Sequence, residues 1–96
     1  MEGSYIIEYA DKVVKLDLPA LPKPWRLIVK KSLEDKLAKR PEIYGQPLHG
    51  TLAGYRKFRI GSYRAIFEIK SNIIKIAIID HRSRVYETAL RRLGLK

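Results

Sequence analysis

RKFRIGSYRAIFEI, residues 56–69, decides the fold. Apolar and polar side chains alternate on both sides of Gly61-Ser62, and a two-residue turn there makes an antiparallel hairpin. Such a turn sets the register, placing Ile60 opposite Tyr63 and Arg59 opposite Arg64. One side of the ribbon then carries Phe58, Ile60, Tyr63, Ala65, Phe67 and Ile69. The other carries Lys57, Arg59, Arg64, Ile66 and Glu68. After Ser71-Asn72 the run IIKIAII (73–79) continues the alternation, so a third strand extends the ribbon into a meander. A second two-residue turn adds Ile74, Ile76 and Ile78 to the apolar side. Lys75, Ala77 and His81 join the polar side, with Glu68 facing Lys75 as its partner.

Working outward, SYIIEY (4–9) is a short β-prone run and the expected first strand. Asp11 is placed to cap a helix through KVVKLDL, which the prolines at 19, 22 and 24 stop. A second helix is predicted from about Pro24 to Lys39, with Trp25, Ile28, Val29, Leu33 and Leu37 as its apolar stripe. Its other face is basic: Arg26, Lys30, Lys31, Lys36, Lys39 and Arg40. PEIYGQPLHGTLAG (41–54) is rich in proline and glycine and is expected to be a loop. VYETALRRLG (85–94) spaces Val85, Ala89 and Leu93 four apart, as a short terminal helix does. The order β-α-α-β-β-β-α predicts an α+β domain over residues 1–96, an N-terminal strand plus an antiparallel meander sheet, with a helical hairpin packed on one face and a short C-terminal helix.

Composition narrows the function. The chain holds 20 Lys+Arg against 10 Asp+Glu, and a domain with no anionic partner gains nothing from a net charge of +10. The excess is local. Residues 1–54 carry 9 basic and 7 acidic side chains; residues 55–96 carry 11 and 3. Nucleic acid, an acidic protein partner, or both fit that asymmetry. The absence of cysteine excludes disulfides and thiolate metal sites. His49 and His81 make no ligand pattern, so neither metal nor cofactor is expected. The N-terminal apolar run is too short for a signal peptide or membrane span, and a cytoplasmic protein is expected.

Within the hairpin, Arg59 and Arg64 face each other across the strands, and like charges so placed repel. With Lys57 they form a cluster that no acidic neighbour in this register neutralises. Arginine's planar fork matches phosphate oxygens, so the cluster is a candidate phosphate clamp. A solvated sheet face that tolerates the repulsion is the bland alternative.

PEIYGQPLHGTLAGYRKFRIGSYRAIFEI followed by IAIIDHRSRVYETAL resembles the RelE/ParE superfamily of type II toxins. The markers are a loop YGxPLxG, the strand YRKFRIGSYRAIF and a late HRxxVY, in that order. RelE-like members cleave mRNA in the ribosomal decoding site, whereas ParE-like members inhibit DNA gyrase. Both are held inactive by a cognate antitoxin in a hetero-oligomer. Carried over by motif, the resemblance implies the catalytic set Lys57, Arg59, Arg64, Arg82 and Tyr86. Arg84 is close enough in sequence to serve in place of Arg82, and it joins Arg56 and Lys75 as an expected RNA contact.

The implied chemistry is metal-free. A 2′-hydroxyl attacks the adjacent phosphate, and the enzyme moves protons and stabilises the phosphorane. Arg64 and Arg82 suit the charge stabilisation, and Tyr86 suits proton exchange or base stacking. Lys57 is the expected base, because neighbouring cations favour its neutral form. His81, which titrates near neutrality, is a further candidate acid or base. The expected substrate is therefore mRNA on the ribosome, with an acidic, partly disordered antitoxin segment as partner. The alternatives are a ParE-like DNA gyrase inhibitor without chemistry and a basic nucleic-acid-binding module without toxicity.

Overall fold

Alternation along the last third of the chain builds the sheet, and the helices pack where the apolar sides fall. The computed structural model describes residues 5–95. Its strands are β1 (Ile6–Tyr9), β2 (Gly45–Pro47), β3 (Arg56–Ile60), β4 (Tyr63–Lys70) and β5 (Ile73–His81), in the order β1-β5-β4-β3-β2. Ser4, the expected first strand residue, lies outside the described residues. The meander has the predicted turns and opens in the predicted register, Ile60 on Tyr63 and Arg59 on Arg64. Gly61 has φ +59°, and a Cβ there would lie 2.6 Å from the Trp25 ring. The turn and the packing both require glycine at that point. β1 lies parallel to β5, and β2 pairs antiparallel with β3 at the other edge. β2 and the short α3 (Pro41–Tyr44, numbered after the two helices below) occupy the stretch expected to be a loop.

Two helical segments precede them. α1 is a π-helical turn, Val13–Asp17, continued by Leu18–Ala20. Asp11 lies inside this helical run rather than capping it; the Ala10 carbonyl accepts the Val13 and Val14 N–H groups at 3.0 and 3.2 Å. Pro19 lies within the run, which ends at Ala20, where Leu21 turns extended ahead of Pro22. α2 runs over Lys23–Ser32 and continues as a π-helical segment, Leu33–Leu37, closed by Ala38 N–H on the Leu33 carbonyl at 2.9 Å. Val29, Leu33 and Leu37 of the predicted stripe are fully buried, Trp25 is half-buried, and Ile28 is exposed. α4 covers Val85–Arg92.

One irregularity redistributes the side chains. Ile66 pairs with Ile78 but Phe67 pairs with Ile76, so Ala77 is an extra residue in β5. Beyond it the alternation reverses. Ile79, not Ile78, joins the helical-hairpin core of Val13, Leu21, Val29, Leu33, Leu37, Phe58, Ile60, Ala65, Phe67, Ile74 and Ile76. Ile78 instead joins Ile66 and Ala77 beneath Val85 and Ala89 of α4. The side expected to be solvated thus carries a second, smaller core. Burial dominates the energetics. Each fully buried Ile, Leu or Phe contributes about 1.5–3 kcal/mol, whereas Lys31–Asp35, 3.6 Å apart with side chains 70% and 58% exposed, contributes under about 1 kcal/mol.

A buried ion pair fastens α4. Arg92 grips Asp17 through bonds of 2.7 and 3.0 Å, and Asp17 Oδ2 also accepts the Ile79 N–H at 2.9 Å. β1 ends at Tyr9, so the outer edge of β5 has no strand neighbour at Ile79. Asp17 supplies the missing acceptor there.

Candidate nucleic-acid interface

β3 and β4 hold Lys57, Arg59 and Arg64 on the side of the sheet away from the helical hairpin, since Phe58, Ile60 and Ala65 take the hairpin side. The three cations line a concavity of about 150 Å³ with Tyr44 and Gln46. Gln46 sits beside Lys57 because β2 pairs Gln46 with Lys57. Neither Tyr44 nor Gln46 was legible in the sequence: a three-residue edge strand of Gly-Gln-Pro carries no alternation to read.

α4 brings in the phenol. Lys57 Nζ donates to Tyr86 Oη at 3.1 Å and lies 5.8 Å from the ring centroid. Arg64 is braced by its own turn, donating to the Gly61 and Tyr63 carbonyls at 2.9 and 2.8 Å. Burial first, then the charges of Arg59 and Arg82, lowers the Arg64 guanidinium from its ordinary value, with Tyr86 opposing. Arginine stays protonated at neutral pH through such a shift. The charges that act on Arg64 place Arg59, Arg82 and Tyr86 in its neighbourhood. Arg82 enters from the turn after β5, its N–H donating to the Ser62 carbonyl at 2.8 Å. Lys57, Arg59 and Arg64 thus share one concavity, Tyr86 reaches it through Lys57, and Arg82 lies near enough for its charge to act on Arg64.

The other candidates lie elsewhere. His81 faces Tyr63 across β4 and β5, on the side opposite Lys57 and Arg59. The extra residue at Ala77 put it there, and Asp80 took the position opposite Arg64. Asp80 does not neutralise Arg64. Its oxygens are occupied by Thr88 Oγ1 at 2.8 Å, Arg84 at 3.1 Å and the His81 N–H at 2.7 Å. Burial pushes the Asp80 carboxyl up, but these bonds and the Arg84 charge outweigh it and hold the group below its ordinary value. Arg84 is thereby engaged away from the cluster. Arg56 falls on the hairpin side, opposite Phe67. Lys75 sits between Glu8 and Glu68 in register and lines a separate concavity with Asp11, Lys12 and Arg92. Glu68 forms its ion pair with Lys70, at 3.9 Å, rather than with Lys75.

Among the described residues no three His, Asp or Glu side chains gather as metal ligands, and no helix is long and apolar enough to cross a membrane. What the cluster offers is anion binding by four cations, with a phenol hydrogen-bonded to one of them.

Known proteins share this architecture. The toxin–antitoxin complex RelBE2 from Mycobacterium tuberculosis contains a chain that superposes with a TM-score of 0.79 at 27% identity, covering 86% of this chain and 97% of that one. A variant of the E. coli toxin RelE in the free state gives 0.71 at 21% identity, covering 94% and 98%. The RelB-RelE antitoxin-toxin complex from Methanococcus jannaschii gives 0.58 at 23% identity, covering 83% and 95%. No curated protein sequence matches the chain. Residues 7–86 match the family described as ParE toxin of type II toxin-antitoxin system, parDE. The chain belongs to that family, and with it to the RelE/ParE superfamily of type II toxins, whose RelE-like fold it has.

Proposed function

We propose that the protein is a ribosome-dependent endoribonuclease that cleaves mRNA in the decoding site and is silenced by a cognate antitoxin. The observation that carries this reading is the Lys57–Tyr86 hydrogen bond set among Arg59, Arg64 and Arg82. It joins a proton-transfer couple to a phosphate-binding surface that no carboxylate among the described residues pairs with. In the reaction a 2′-oxygen attacks the adjacent phosphorus and the bond to the 5′-oxygen breaks, leaving a 2′,3′-cyclic phosphate and a 5′-hydroxyl. Lys57 takes the 2′-hydroxyl proton as general base, and the Tyr86 hydroxyl supplies one to the departing 5′-oxygen. Arg64 and Arg82 stabilise the charge that builds on the non-bridging oxygens. His81, on the other side of the sheet, takes no part in the proton transfers.

So sparse a set of acid–base groups suits a substrate that arrives already ordered, as mRNA does on a ribosome. Primer extension on mRNA with translating ribosomes tests this, with naked RNA as control. Cleavage on ribosomes far exceeding cleavage of naked RNA is the expected result; equal rates overturn it.

The second reading, gyrase inhibition, is favoured by the family description, which names ParE toxin. A supercoiling assay separates the two. A ribonuclease loses mRNA cutting with Arg64→Ala or Tyr86→Phe and leaves supercoiling untouched at every dose. A gyrase blocker inhibits supercoiling and tolerates both substitutions. An antitoxin partner is supported by the toxin–antitoxin complexes among the similar structures. Acidic, partly disordered segments complement a surface of this charge.

A further inference from the structure

Arg82 reaches the cluster from a short turn between β5 and α4, and this turn closes on His81. The Ser83 N–H donates to His81 Nδ1 at 3.2 Å, and Ser83 Oγ lies 2.8 Å from the same nitrogen. A backbone N–H can only donate. His81 Nδ1 must therefore present a lone pair, which assigns the ring as the neutral tautomer with its proton on Nε2. The ring stands edge-on to Tyr63, centroids 5.7 Å apart at 85°, and Tyr63 packs on Trp25 of α2 at 5.1 Å. The backbone closes the rest of the turn: Arg84 N–H donates to the His81 carbonyl at 2.9 Å and Arg82 N–H to the Ser62 carbonyl at 2.8 Å.

We propose that His81 is a positioning residue whose neutral imidazole, by accepting the Ser83 N–H, fixes the turn that presents Arg82 beside Arg64 and leads into Tyr86. The proposal rests on the ribonuclease reading for its effect on rate, while the state of the turn is measurable without it. Protonating the ring fills the Nδ1 lone pair, so the Ser83 N–H faces another N–H and loses its acceptor, which loosens the turn at Ser83. Cleavage then falls with protonation of the ring. The titratable group packed against the ring is Tyr63 on β4; Asp80 accepts the backbone N–H of His81, and Arg82 and Arg84 follow it in the turn, with the Arg84 guanidinium on Asp80. Trp25 of α2, beyond Tyr63, carries no charge.

Asparagine separates positioning from proton transfer, because its side-chain oxygen takes the place of Nδ1 as acceptor and does not titrate. Single-turnover mRNA cleavage on ribosomes is measured from about pH 5.5 to 8 for the wild type, His81→Asn and His81→Ala. His81→Asn is expected within about threefold of wild type near neutrality, keeping only the acid fall common to all three proteins, and His81→Ala at least about tenfold slower throughout. In the full chain, two-bond proton–nitrogen NMR spectra are expected to show the Nε2–H tautomer, with the Ser83 amide titrating alongside the ring. His81→Asn as slow as His81→Ala overturns the proposal, since the imidazole itself would then be needed. Protonated Nδ1 near neutrality, or a Ser83 amide blind to the ring's titration, overturns it as well, even if His81→Ala fails to fold. A wild type that cuts no mRNA while Ser83 follows the ring removes the ribonuclease reading and leaves the turn assignment standing.

Discussion

Tyr86 accepts a hydrogen bond from Lys57 of β3 through its oxygen, and Tyr86→Phe removes that oxygen while keeping the ring. The side chain is 38% exposed, so the lost bond to Lys57 costs about 1 kcal/mol or less in stability. A positioned proton-transfer group contributes about 10²–10⁴-fold. Single-turnover cleavage by Tyr86→Phe is therefore expected to fall about a hundredfold or more, with urea unfolding nearly unchanged. Asp80 gives a prediction in pH. Its carboxyl is more acidic folded than unfolded, since Thr88, His81 N–H and Arg84 outweigh the cost of burial. The stabilisation it provides is complete above the unfolded value of about 3.9 and disappears as pH falls through the lower folded value. Asp80→Asn is expected to lower stability near pH 7 and to flatten its decline towards about pH 3, followed by urea unfolding.

At the level of elements, α4 is held to α1 and β5 by the Asp17–Arg92 pair, with side chains 8% and 15% exposed. Breaking such a pair costs about 3–5 kcal/mol. Asp17→Ala is placed at the upper end because it also orphans the Ile79 N–H; Arg92→Met costs less, because the carboxylate keeps that bond. Chemical denaturation of both variants checks the order. Nothing in the sequence pointed to this pair, because its partners are 75 residues apart and share no periodic pattern. The meander was legible for the opposite reason: alternation and a Gly-Ser turn determine its register locally. Legibility ended at Ala77. From Ile76 to Ile79 every residue is apolar, so no polar position marks where the alternation slips. Ile78, Asp80 and His81 were consequently assigned to the wrong sides, or not assigned at all, although the strand itself was found. Lys57, Arg59 and Arg64 lie on the β3–β4 pair, whose register no bulge disturbs, and their common side was readable.

For the molecule as a whole, the charge excess of its second half becomes a salt dependence. Binding to single-stranded RNA weakens with a slope of about −0.7 in log affinity per log salt for each phosphate neutralised. Four contacts through Lys57, Arg59, Arg64 and Arg82 give an expected slope of about −3. Arg59→Gln is expected to lessen its steepness by about 0.7, whereas Lys75→Gln, on a different part of the surface, leaves it unchanged. Fluorescence anisotropy over a potassium chloride series measures both. The sheet topology adds a consequence of order in time. β1 precedes almost everything else, yet its partner is β5, and such distant pairing is slow to form. Arg82, and Tyr86 on α4, follow later still. A nascent polypeptide therefore leaves the exit tunnel with its first strand waiting for β5, and Tyr86 meets Lys57 only once the chain beyond that strand has emerged.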